Sequence, residues 1–188
     1  MGEAERRRVP ERGARRLISV PFLAKLAEQL DRVVGLFGRL TAWIGVGLVL
    51  IVAGNVLVRY FLHTGTIWLQ ELEWHLIAPI ALFGMSYALL TGETIRVDGL
   101  YQRFPAWLRA TIDITSGVLM VIVAALLVKL SIPFVLQSYR MGEGSPNPDG
   151  IPYRFLLKSL IPLGFAVLFL QAIAETMKAV LRLFPSSR

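Results

Sequence analysis

The chain has no cysteine, only two histidines, and little charge across long stretches of its 188 residues. Without cysteine it can form no disulfide, thiolate metal site or thiol nucleophile. The two histidines, His63 and His75, show no repeated spacing, which is thin support for a haem or metal site. Charged residues make up only 18% of the chain, against 55% hydrophobic, and mean hydropathy is +0.59. A soluble domain averages about a quarter charged residues, so the deficit points to lipid as the solvent.

What the chain does have is four long apolar stretches, centred near Gly47, Leu82, Val121 and Gly164. Leu40–Val58 carries no charge and approaches the ~20 residues a helix needs to cross hydrocarbon. That run is too long for a signal-peptide core of roughly 7–15 residues, so it is expected to remain as an anchor. The other uncharged cores are shorter and need flanking turns whose charges reach the interface: Glu73 and His75, Lys129, and Lys158 with Glu175. The expected fold is an all-α membrane protein with four transmembrane helices, spanning about 40–62, 68–91, 112–137 and 155–178. Before them come a basic, disordered arm over 1–20 and an amphipathic interfacial helix over 21–39; a short tail, 184–188, follows. In that amphipathic helix Phe22, Leu26, Leu30, Val33 and Phe37 recur at threes and fours, with Lys25, Glu28, Arg32 and Arg39 elsewhere. A polar extension of the first span is the competing reading of the same residues.

The net charge is +7, and nine of the twenty Lys and Arg residues lie in the first 39 positions. A basic arm ahead of a first span predicts a cytoplasmic N-terminus and attraction to anionic headgroups. Aromatics are not interleaved with these charges, so no nucleic-acid partner is expected. Four spans return the C-terminus to the cytoplasm as well. Trp68, Tyr60, Tyr139 and Tyr153 then mark the outer interface, and Trp107 and Tyr101 the inner one.

No ionisable residue falls in the middle of a span, although such residues mark ion and proton routes. The central turns hold only Ser86, Thr115 and Ser116 as hydroxyls, with Asn55 and Gln171 nearer the ends. Packing surface is plentiful instead. Gly47, Ile51, Gly54 and Val58 share one stripe, and Ala78, Ala81, Met85 and Ala88 another. Either stripe suits a partner helix, or it closes the chain's own bundle. Glu71 lies on the side of Trp74, His75 and the alanine stripe, so it is expected to meet protein, an Arg or a backbone donor. Glu73 sits above Leu76, Ile80, Phe83 and Tyr87 and is expected to face lipid. Both acids as simple interfacial anchors is the blander possibility.

The order of short motifs resembles one family. Asn55-Val-Leu-Val-Arg59-Tyr60 closes the first span, and Trp68-Leu-Gln-Glu71 leads into the second. Tyr87-Ala-Leu-Leu-Thr-Gly-Glu-Thr-Ile-Arg-Val-Asp98 leaves it, and Gly144-Ser-Pro…Gly150-Ile-Pro…Lys158-Ser-Leu-Ile-Pro-Leu-Gly164-Phe opens the fourth. Together they resemble the small membrane subunit of tripartite ATP-independent periplasmic (TRAP) transporters over about residues 30–180. The last motif looks like the mannitol/chloroaromatic-type branch. Gln70 stands where the family commonly has an acid, and Thr94 where it has His. The resemblance implies a Na⁺-driven importer of organic acids or related solutes in the bacterial inner membrane. A periplasmic solute-binding protein delivers the solute, and a large permease subunit binds it together with Na⁺. This chain would be a non-catalytic scaffold for the large subunit, with no cofactor or metal of its own. Trp68, Glu71, Trp74, Ala78, Ala81, Met85, Ala88, Gly47 and Gly54 are its interface candidates. Arg96 and Asp98 join them, or form a local ion pair in the turn after the second span. The alternatives are a membrane anchor of a quinone or haem oxidoreductase, and a self-sufficient small channel.

Overall fold

The computed structural model describes residues 11–63, 65, 67–93, 101 and 103–183. The first ten residues of the basic arm, the tail 184–188, Thr94, Arg96 and Asp98 lie outside the described residues. Among the described residues are four long helices and no strand: α1 Glu11–Leu62, α2 Ile67–Thr91, α3 Ala106–Arg140 and α4 Arg154–Leu183. Each is long and apolar enough to cross a membrane. The all-α membrane architecture predicted from composition is therefore found.

The beginning of the chain differs from expectation. Helix α1 starts at Glu11, inside the arm read as disordered, and runs unbroken for 52 residues through the boundary at 39/40. Ala14, Arg15, Arg16 and Leu17 are strong helix formers, and no proline follows Pro21 to stop the helix. The amphipathic segment and the first span are thus two parts of one rod, about 78 Å long at 1.5 Å per residue. Its burial pattern splits the bulky stripe, of which Leu30 and Phe37 are half-buried. Phe22, Leu26 and Val33 of the bulky stripe face outward, whereas Ala27, Val34, Gly38 and Thr41 face inward. Bulky apolar groups stay outside because lipid solvates them, while small residues let helices approach.

Helices α1 and α2 pair antiparallel. The rings of Phe37 and Phe83 meet at 5.0 Å, and the Tyr87 ring covers Gly38. Helix α4 lies against both, and Val34, Phe83 and Val167 form the small buried centre of the three. Helix α3 makes its substantial helix contacts with α4 alone: Gly117 lies against Thr176, and Tyr139 meets Phe155 edge-on at 5.1 Å. The remaining surface is strongly apolar, with Trp43 74%, Leu50 67% and Leu119 60% exposed. Pro79, Pro133 and Pro162 all fall inside helices rather than ending them.

Helix α2 stops where its sequence dictates. Gly92 takes φ +76°, and the Glu93 N–H returns to the Ala88 carbonyl at 3.0 Å. The end of α3 repeats this geometry, with Gly142 at φ +58° and the Glu143 N–H on the Ser138 carbonyl at 3.1 Å. Both follow from glycine tolerating the left-handed conformation that satisfies the last carbonyls.

Candidate functional site

The connector from Met141 to Tyr153 is rich in Gly and Pro and has no ladder to satisfy its polar backbone, so carboxylates do so. Glu71, in the first turns of α2, accepts hydrogen bonds from the Ser145 hydroxyl, from Asn147 Nδ2 at 2.8 Å and from the Ile151 N–H at 2.7 Å. Glu143 accepts from the Ser138 hydroxyl at 2.6 Å and from the Lys158 ammonium, and its carbonyl takes the Arg154 N–H at 3.0 Å. The Lys158 hydrogen bond, then that of Ser138, holds the Glu143 carboxyl below its ordinary value. Lys158 Nζ also lies 4.3 Å over the Phe134 ring. The clasp keeps Asp149 and Tyr153 at φ +59° and +62°, a left-handed conformation costing such residues about 1–3 kcal/mol each. Glu71 thus meets protein and a backbone donor, and both come from its own chain.

Glu73 departs from expectation. It accepts from Asn55 Nδ2 at 2.9 Å and so faces α1 rather than lipid. A greasy neighbourhood on its own helix gave no hint of an amide arriving from another.

The opposite end of the bundle holds a second polar network. Gln171 is fully buried and donates from Nε2 to Asp31 at 3.1 Å and to Glu175 at 3.0 Å. Lys178 reaches both acids, at 3.2 and 2.5 Å. These bonds fasten α4 to the inward face of α1. Sequence reasoning passed over Asp31. Its signal is an acid between Ala27 and Val34, on the small-residue face of an otherwise greasy helix.

The interface candidates separate into two groups. Glu71 is half-buried beneath the connector, while Trp68, at 47% exposure, stands at the start of the same helix. Trp74, Ala81 and Met85 look outward from α2, with Ala78 and Ala88 half-buried; Trp74, Ala81 and Ala88 fall seven residues apart, as do Ala78 and Met85. Gly47 and Gly54 face open space, for a Cβ built on either would meet nothing within 4 Å. Among the described residues, then, nothing packs closely on these two glycines. Together with them Leu36, Leu40, Trp43, Leu50 and Leu57, all exposed, make a series spaced at threes and fours. That is the 3.5-residue period of a seam between helices. A cavity of about 600 Å³ lies at the end of α1 beside Arg59, Tyr60 and His63. Among the described residues no group of three or more His, Cys, Asp or Glu side chains is arranged to hold a metal.

The arrangement as a whole offers docking faces and braced ends around a middle poor in polar groups. The chain is 28% identical over 124 residues to the ectoine TRAP transporter small permease protein TeaB of Halomonas elongata. The match takes in 66% of this chain and 63% of that relative's length. The family described as "Tripartite ATP-independent periplasmic transporters, DctQ component" matches residues 48–182, more than half of the chain. The protein therefore belongs to the DctQ family, the small permease components of TRAP transporters.

Proposed function

We propose that this chain is the static scaffold of a Na⁺-coupled TRAP importer of organic acids or related solutes, braced against a large permease subunit that carries solute and sodium. As a transporter component it is not an enzyme. One observation carries the scaffold reading: two outward seams with small residues, around Gly47 and Gly54 on α1 and Ala81 and Met85 on α2, that none of the described residues covers. Lipid would solvate such faces, but small residues at helical spacing favour close approach by another helix. The middle of the spans supports the same reading, since it offers no charge to a solute or ion.

Within this proposal the protein is a multi-pass component of the bacterial inner membrane with both termini cytoplasmic, following its basic N-terminal arm. The connector clasped by Glu71 then faces the periplasm, where the solute-binding protein delivers cargo. The mannitol/chloroaromatic-type branch rests on the connector motif alone and belongs to the proposal. No cofactor is assigned to this chain, and sodium is assigned to the large subunit.

Reconstitution tests it. Liposomes holding this chain with its large permease subunit and binding protein should take up solute on a sodium gradient, and liposomes holding this chain alone should not. Gly47→Leu with Gly54→Leu should abolish co-purification of the large subunit while the isolated chain stays helical. Flux through the chain alone, or undiminished co-purification of the double variant, would refute the scaffold reading.

A further inference from the structure

We propose that the end of the bundle formed by the start of α3 and the end of α4 binds the phosphate of an anionic phospholipid, held by Arg109 and Arg182. Arg109 lies in the first turn of α3, half-buried, and its Nε is buried with no hydrogen-bond partner. A charged donor left unsatisfied away from water is costly, and a movement of this half-buried side chain toward an acceptor outside the chain relieves that cost. Arg182 near the end of α4 is 68% exposed, and its closest carboxylate oxygen, on Asp113, is 3.7 Å away. That distance is beyond hydrogen-bonding range and leaves the guanidinium donors available. Asp113 also accepts from the Tyr101 hydroxyl at 2.7 Å.

Arg109 and Asp113 stand four residues apart on one face of α3, so Arg109 and Arg182 lie at the same end of the bundle as this carboxylate. The helix start adds to this. Pro105 occupies the cap position and no side chain caps the first turn, whose free N–H groups point out of the same end. Trp107, 67% exposed, sets the level of this end at the headgroup region, where indole rings reside. Beyond it Leu119 and Ile122 extend an exposed apolar face, 60% and 57% exposed, against which acyl chains can lie. A guanidinium pair at headgroup depth beside an acyl-chain surface matches a lipid phosphodiester, whose oxygens accept bidentate Arg bonds. The site does not depend on the scaffold reading, since failure of the large subunit to dock would leave it unchanged.

The test uses the full-length chain in mild detergent, with bound lipid counted by native mass spectrometry after exposure to phosphatidylglycerol or phosphatidylcholine. Phosphatidylglycerol should be retained preferentially. Arg182→Gln should weaken that retention roughly fivefold, the effect of about one basic side chain at an anionic lipid surface. Arg109→Gln should do the same, and Lys25→Gln with Arg32→Gln on α1 should not. Arg182 is exposed, so its variant keeps the test valid if loss of Arg109 disturbs folding. Equal retention of the two lipids, or wild-type retention by Arg182→Gln, would overturn the proposal. Displacement of phosphatidylglycerol by millimolar inorganic phosphate would overturn the lipid assignment in favour of a free-anion site; persistence of the lipid supports it.

Discussion

Gly164 is a position where one added methyl group should force two helices apart. A Cβ built there would lie 2.6 Å from Leu82 Cβ and 3.3 Å from its Cγ and Cδ2. Carbon atoms in contact sit about 3.5–4.0 Å apart, so α2 and α4 would have to separate by roughly 1 Å. Leu82 Cβ is fixed to its backbone and no rotamer change moves it aside. Separation also loosens the centre of Val34, Phe83 and Val167, where three helices converge. Overpacking of this kind costs about 1–3 kcal/mol. A Gly→Ala change in a helix also carries a backbone gain of up to ~1 kcal/mol, which would mask part of that loss. The clean measurement is therefore a comparison with Gly47→Ala, which shares the backbone gain but meets nothing within 4 Å. Equilibrium unfolding of both variants in mixed detergent micelles should place Gly164→Ala below Gly47→Ala by about 1–3 kcal/mol. Agreement of the two within about 0.5 kcal/mol would refute the close approach of α2 and α4.

Three further outcomes are expected. Asp31→Ala removes the acceptor shared by Gln171 and Lys178 and should destabilise the isolated chain by roughly 2 kcal/mol, measured by the same unfolding. Glu71→Gln keeps the shape but cannot accept from three donors with both terminal atoms, so deuterium exchange at the Ile151 amide should accelerate roughly tenfold while helix content by circular dichroism stays constant. The Glu143 carboxyl is held below its ordinary value of 4.5 by Lys158 and Ser138. Its contribution is therefore fully present above 4.5 and is lost as pH falls through the lowered folded value. Proteolysis of the 141–153 connector should accordingly rise on acidification below 4.5, and Lys158→Met should move that rise to higher pH; an unshifted profile would contradict the pairing.

The spans were legible because lipid demands long apolar runs, and the sequence shows them without ambiguity. Gly92 was legible as a helix stop because that role is local. Continuity of α1 was left open between two readings, and the competing one, an extension of the first span, is what the structure has, for no residue at the junction breaks a helix. Glu71 does meet protein, but through connector donors 74 to 80 residues away, while Trp74, Ala81 and Met85, grouped with it on one side, look outward. Asp31 and Lys178 are 147 residues apart, and their pairing depends on how α1 and α4 cross, which no local pattern encodes. Glu73 failed for the same reason: Asn55 reaches it from a neighbouring helix.

The pairing of the helices bears on how the protein is made. Since α1 packs along α2, and α3 leans on α4 and little else, the molecule divides at residues 92–105 into two helical hairpins. Each can leave the insertion machinery as a ready-made pair, and only the later arrival of α4 against Val34 and Phe83 joins the two halves. A truncation after Glu93 should accordingly yield a membrane-integrated half-protein that captures the separately synthesised second half.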